Sequence, residues 1–280
     1  MISKIIKRSF IIALFCGLIA CSQIQSKINN KSNKVVKFST KNEYKLVWSD
    51  EFDEQGKPDT NKWVYDIGGN GWGNSELQYY SSQSKNVRVE NGKLIIEARN
   101  YRGQKIKYTS ARIKTKGKGN WLYGRVEVKA KIPTGKGTWP AIWMLPTENK
   151  YGNWPASGEI DIMEHVGFEP NVIHGTVHTK KFNHTLGTQK GAEISVSTAT
   201  TAFHIYSIEW DKNKIDFFVD DEKYFTFTNQ HKSYKEWPFD QKFFLIINLA
   251  IGGNWGGLKG VDDTIFPARM IIDYVRIYKK

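Results

Sequence analysis

Cysteine is almost absent from this chain, with two in 280 residues, Cys16 and Cys21. No intrachain disulfide can brace anything beyond residue 21, so a folded domain there must rest on a sizeable apolar core. Helical periodicity is missing as well. From Tyr44 onward no segment of ten residues repeats its apolar positions at the 3.6-residue spacing. Glycine-rich stretches such as "GKG" and "GNG" lack both the Gly-x4-Gly-Lys-Ser/Thr spacing and a following helix, which excludes a phosphate-binding loop. No HExxH pair is present. His174 and His178 stand four apart, about 13 Å on a strand, too far to share a zinc ion.

Acidic residues are absent from positions 1–42, where eight of the 41 basic residues lie. The formal charge of +13 therefore falls to a surplus of five over the remaining chain. A surplus that small describes a solvated surface, not a phosphate-binding stripe, and nucleic acid is not expected as a partner. Lys4, Lys7 and Arg8 precede an apolar run from Ser9 to Ala20. Its length falls short of the ~20 residues that span a bilayer, and the pattern is that of a secretory signal peptide over residues 1–20. Leu18-Ile19-Ala20-Cys21 resembles a bacterial lipobox, which implies a lipid on Cys21 and an exported lipoprotein. Ser22 after the cysteine resembles signals that permit sorting to the outer membrane. Residues 21–42, rich in Ser, Asn, Gln and Lys, read as a flexible tether to that membrane. Residues 43–280 contain no Pro/Ser-rich linker or internal repeat, and read as one domain, expected to act as a monomer.

That domain alternates with period two. Val126, Val128, Ala130 and Ile132 interleave with charged residues as a half-buried strand. Val87–Val89 and Leu94–Ile96 flank Asn91-Gly92, a hairpin turn that needs positive φ. Ile215–Val219 and Tyr224–Phe227 flank Asp220-Asp221 as a second hairpin. Phe243–Leu249 reads as a continuously apolar central strand, and Met270–Tyr278 as the last one. Many short strands with Gly-rich turns point to an all-β sandwich, a jelly roll.

Into this pattern "GEIDIMEH" (158–165) sets three acids within six positions. A structural strand gains nothing from neighbouring like charges. Either the acids line a solvated face, or they form a site that needs carboxyls in two protonation states. Glu159 and Asp161 share a face on a regular strand; Glu164 joins them only if one residue bulges near Ile162 or Met163. No EF-hand-like loop surrounds them. Ten tryptophans accompany these acids. Roughly two in three are expected in the core. Trp139 and Trp143 lie four apart just upstream, however, and Trp72 and Trp255 sit in the Gly-rich loops "GGNGWGNSE" (68–76) and "IGGNWGG" (251–257), where little core is at hand. Flat indoles beside paired carboxyls make a coherent carbohydrate site.

Glu159-Ile160-Asp161-Ile162-Met163-Glu164 resembles the signature of glycoside hydrolase family 16, in the longer form typical of its laminarinase-like members. "LVWSDEFD" (46–53), "GNGWGNSELQYY" (69–80), "WPAIWMLP" (139–146), "HGTVHT" (174–179), "NLAIGGNWGG" (248–257) and "DYVRIY" (273–278) follow the family's order across the domain. The resemblance implies a β-jelly roll of two antiparallel sheets with an open cleft on the concave face. It implies double-displacement hydrolysis of β-1,3-glucan or mixed-linkage β-1,3-1,4-glucan without a catalytic cofactor. Glu159 would be the nucleophile, Asp161 its hydrogen-bonding neighbour and Glu164 the general acid/base. Asn70, Trp72, Arg112 and His178 would join Trp139, Trp143 and Trp255 at the substrate, while His174 is expected in a core or hydrogen-bonding role. Ser75 stands where relatives often carry Asn. A structural Ca²⁺ would be held by backbone oxygens of Glu51 and Gly92 and by the acid Asp273. The other readings are a non-catalytic glycan-binding lipoprotein on the same fold, or a family 16 enzyme acting on agar, carrageenan or galactan.

Overall fold

Period-two alternation becomes strand throughout residues 44–280, the part of the chain that this computed structural model describes. The leader, Cys21 and the tether lie outside the described residues. In chain order the strands are β1 (Lys45–Asp50), β2 (Val64–Asp66), β3 (Gln78–Tyr80), β4 (Val87–Glu90), β5 (Lys93–Asn100), β6 (Tyr108–Ser110), β7 (Arg112–Lys114), β8 (Gly124–Lys131) and β9 (Thr138–Pro146). They continue as β10 (Glu159–Glu164), β11 (Val172–His178), β12 (Lys190–Ser195), β13 (His204–Trp210), β14 (Lys214–Val219), β15 (Glu222–Thr228), β16 (Phe243–Ile251) and β17 (Ala268–Lys279). Helix is limited, among the described residues, to the 3-10 turns His184–Leu186 and Asp263–Ile265.

Two sheets result. A seven-stranded sheet runs β12-β11-β10-β9-β16-β7-β2, and a ten-stranded one runs β15-β14-β13-β8-β17-β5-β6-β3, with β1 on β17 and β4 on β5. Every pairing is antiparallel except β3 with β6. This is the β-jelly roll that the strand pattern suggested. Both hairpins form as read. Asn91 and Gly92 adopt φ 54° and 70° between β4 and β5, and Asp220 adopts φ 54° between β14 and β15.

The sheets share one core. Ile142, Leu245 and Ile247 from one meet Val128, Ile272 and Val275 from the other in a single buried cluster. Each such side chain contributes roughly 1.5–3 kcal/mol by leaving water, which is how the domain holds without a disulfide. All nine residues of β16 are buried, flanked by β9 and β7. One of them, Asn248, interrupts the apolar run with an amide turned to the cleft.

The expected calcium ligands are arranged differently. Both carboxylate oxygens of Asp273 are taken by ammonium groups, Lys93 at 2.6 Å and Lys129 at 2.8 Å. The Glu51 carboxylate makes a two-pronged pair with Arg276. Gly92 serves as the hairpin turn. Two ammonium groups thus occupy the one acid expected as a ligand, and a dication would have to displace them.

Candidate active site

β10 carries the acids, and its neighbours show the bulge. Against β9, Asp161 pairs with Trp143 and Met163 with Ile142, so Ile162 is the extra residue. Against β11, Asp161 pairs with Thr176 and Glu164 with His174, two steps against three. That one-residue insertion turns Glu164 to the face of Glu159 and Asp161. All three line a cleft of about 880 Å³ floored by β7, β9, β10, β11 and β16.

Indole N–H groups hold the two glutamates. Trp154 donates its indole N–H to Glu159 at 3.0 Å, and Trp139 donates to Glu164 at 3.0 Å. His178 Nε2 lies 3.3 Å from Asp161 and 3.8 Å from Glu159. Burial, reinforced by the neighbouring Asp161 charge, pushes Glu164 up to about 8. The Trp139 hydrogen bond pulls the other way. Burial likewise holds Glu159 and Asp161 well above the usual carboxylate range. Glu164 therefore keeps its proton at neutral pH.

Aromatic walls surround these groups. Arg112, paired with Asp66 at 2.9 Å, lies between the rings of Trp72 and Trp143, 5.0 Å and 4.7 Å from their centroids. Trp143 is anchored through its N–H to Asn248 at 2.7 Å, and Asn248 in turn bonds Tyr80. Trp255 meets Trp139 edge-on at 5.6 Å. The glycines of "IGGNWGG" permit this contact: a Cβ on Gly256 would lie 2.8 Å from the Trp139 side chain.

Of the residues singled out beforehand, Trp72, Arg112, Trp139, Trp143, His178 and Trp255 line the cleft with the three acids. Asn70 does not. Its amide oxygen accepts from the Trp72 N–H at 3.2 Å and shapes the loop instead, while Asn74 supplies the lining side chain. His174 is not a core residue but lines the cleft beside Trp255, 4.9 Å away. The expected share of core tryptophans was too high: five of the ten line the cleft.

Four of the lining residues that went unread are instructive. Trp154, 40 % exposed, sits in a Gly/Pro-rich loop just as Trp72 and Trp255 sit in theirs, so the same signal applied to it. Asn248 was visible as a lone amide in an apolar strand. Glu76, raised by burial and bonded to Gln78 and Tyr80, and His184, 5.1 Å from His178, carried no local signal.

Three close carboxyls sharing protons on the floor of an indole-lined groove define a glycoside-cleaving site on a jelly roll. Residues 74–276 match the family described as "Glycosyl hydrolases family 16". The chain is 53% identical over 274 residues to a β-glucanase of Rhodothermus marinus, covering 95% of this chain and 93% of that one. Its fold is similar to the crystal structure of the laminarinase from Rhodothermus marinus, with TM-score 0.82, 56% identity and coverage of 84% and 97%. It is also similar to a non-specific endo-β-1,3(4)-glucanase crystallised with a gluco-oligosaccharide, with TM-score 0.81, 48% identity and coverage of 85% and 95%. The chain belongs to glycoside hydrolase family 16, and it is a glycosidase of the laminarinase-like kind.

Proposed function

We propose that the protein is an endo-acting β-glucanase that cleaves β-1,3-glucan or mixed-linkage β-1,3-1,4-glucan with retention of anomeric configuration. The observation that carries this reading is the one-residue bulge that brings Glu164 onto the face of Glu159 and Asp161, with each glutamate bonded to an indole N–H. Glu164 holds its proton up to about pH 8 and can give it to the leaving oxygen. Burial holds Glu159 well above the usual carboxylate range, and the Trp154 N–H and the facing His178 oppose that shift and favour its ionised form. Asp161 is raised well above the usual carboxylate range by burial, and in its protonated form it can donate to Glu159. Glu159 then attacks the anomeric carbon as the bond to the leaving oxygen breaks, forming a glycosyl-enzyme. Glu164, now a base, takes a proton from the water that releases the sugar. Indoles of Trp72, Trp143 and Trp255 stack on sugar faces along the open groove, which suits internal cleavage of a polymer.

The test is hydrolysis of a panel of laminarin, mixed-linkage glucan, agar, carrageenan and galactan, with products followed by NMR. The first cleaved product should keep the β configuration, and Glu164→Ala with azide should yield a β-glycosyl azide. Inverted product discards the mechanism. Cleavage of a galactan alone changes the substrate, and binding without cleavage makes the protein a glycan-binding lipoprotein.

The leader and Leu18–Cys21 support export as a lipoprotein anchored in the outer membrane through Cys21. Replacing Cys21 by Ala should move the protein from the membrane fraction to the soluble one; continued sedimentation after a salt wash excludes the lipid anchor.

A further inference from the structure

Glu159, Asp161 and His178 also form a ligand set of another kind. One donor atom from each lies within 4.8 Å of the others. His178 Nε2 faces Asp161 Oδ2 at 3.3 Å and Glu159 Oε1 at 3.8 Å. His178 is 6 % exposed and Asp161 3 %. Asp161 Oδ2 has no hydrogen-bond partner although the imidazole nitrogen is so near. A buried oxygen without a partner costs free energy, and a cation between it and the ring nitrogen would satisfy both. The ladder holds the set in place, with Glu159 directly opposite His178 on β11.

We propose that this trio is a binding site for a borderline divalent transition metal, Zn²⁺ or Cu²⁺, and that filling it switches the cleft off. Zinc bonds of about 2.0–2.2 Å place tetrahedral ligand atoms roughly 3.3 Å apart. The Asp161–His178 spacing already meets this, and Glu159, whose Oε1 lies 3.8 Å from the ring nitrogen, would have to move inward. One imidazole with two carboxylates is a common zinc and copper set, with a fourth position open to water from the cleft. Ca²⁺ and Mg²⁺ prefer all-oxygen shells and are disfavoured by the imidazole. A bound metal occupies the lone pairs that Glu159 would use in attack. The site depends on these three side chains and not on which glycan is cleaved.

Calorimetric titration of ZnCl₂ into the untagged full chain at neutral pH tests this. One equivalent should bind to wild type, and the half-inhibiting concentration in the hydrolysis assay should match that affinity. His178→Ala and Glu159→Gln should each weaken binding at least tenfold, with His178→Asn as a second variant should the alanine form fail to fold. His184→Ala, altering a ring on the cleft rim, should bind as wild type. Three results would overturn the proposal. These are no saturable binding below millimolar Zn²⁺, undiminished affinity in the His178 variants, or a loss in His184→Ala as large as theirs.

Discussion

Glu97 on the ten-stranded sheet and Glu164 on the seven-stranded one are both carboxylic acids on interior strands, and they keep opposite company. Glu97, fully buried, is met by Arg88 at 3.1 Å, by Arg269 at 2.8 Å and by Arg99. On the same sheet Asp216 is met by Lys214 at 2.5 Å and Asp273 by two lysines. Glu164, Asp161 and Glu159 meet indole N–H groups and a histidine; among the described residues none of the three forms an ion pair with Lys or Arg. Where cations compensate a buried acid, it is part of the framework. Where indole N–H groups and a histidine do so instead, its ionisation stays costly and its proton is available for chemistry.

The two kinds of acid also respond to pH with opposite sign. Burial opposes it, but the lysines hold Asp273 below the usual range, and Asp216 behaves likewise. Such groups stabilise the fold above their unfolded pKa, and that contribution is lost as pH falls through the folded one. Glu164 binds its proton more tightly folded than unfolded, so stability declines as pH rises from the ordinary 4.5 toward about 8. The cleft is therefore most comfortable in acid, the opposite face near neutrality.

Exchanging the roles is the strongest way to break this comparison. Glu159→Ala should lower kcat by about 10⁴-fold or more, with stability unchanged or improved because a disfavoured buried charge is gone. Glu97→Ala should cost about 3–5 kcal/mol in urea denaturation, since three guanidinium groups lose their partner, yet leave kcat of the folded enzyme intact. Equal destabilisation by the two would end the distinction.

A smaller effect sharpens it. Trp139→Phe removes the hydrogen bond that favours ionised Glu164, so its pKa should rise and the alkaline limb of kcat move up by about half a unit to one unit. A downward move in the pH–rate profile would mean that the indole mainly excludes water. The smallest effect is expected from chelation. With Asp273 already paired to Lys93 and Lys129, EDTA should leave Tm within about 1 °C; a fall of several degrees, in proportion to Ca²⁺ removed, would show that calcium displaces those lysines.

Much of this was legible in residue order. Hairpins at Asn91-Gly92 and Asp220-Asp221 follow from local turn chemistry, and β16 from its apolar run. The three acids and a bulge near Ile162 or Met163 followed from strand period and like-charge repulsion, and the register on β9 settled it at Ile162. Trp154 could have been read by the reasoning applied to Trp72, and Asn248 by its intrusion into an apolar strand.

Other features had no local trace. Lys93 and Lys129 reach Asp273 from strands 180 and 144 positions away in sequence. No neighbouring residue announces that pairing. Glu76 and His184 become cleft residues only when the loops after β2 and β11 fold over the sheet that bears β10. Period and turn chemistry act within a few residues, and they determined the strands, the acids and the face those acids share. Which acids gain a cation, and which are left in low dielectric to hold a proton, depends on charges brought near by strand order and register. Coulomb energy and desolvation are set by distance through space, and only the tertiary structure decides that distance.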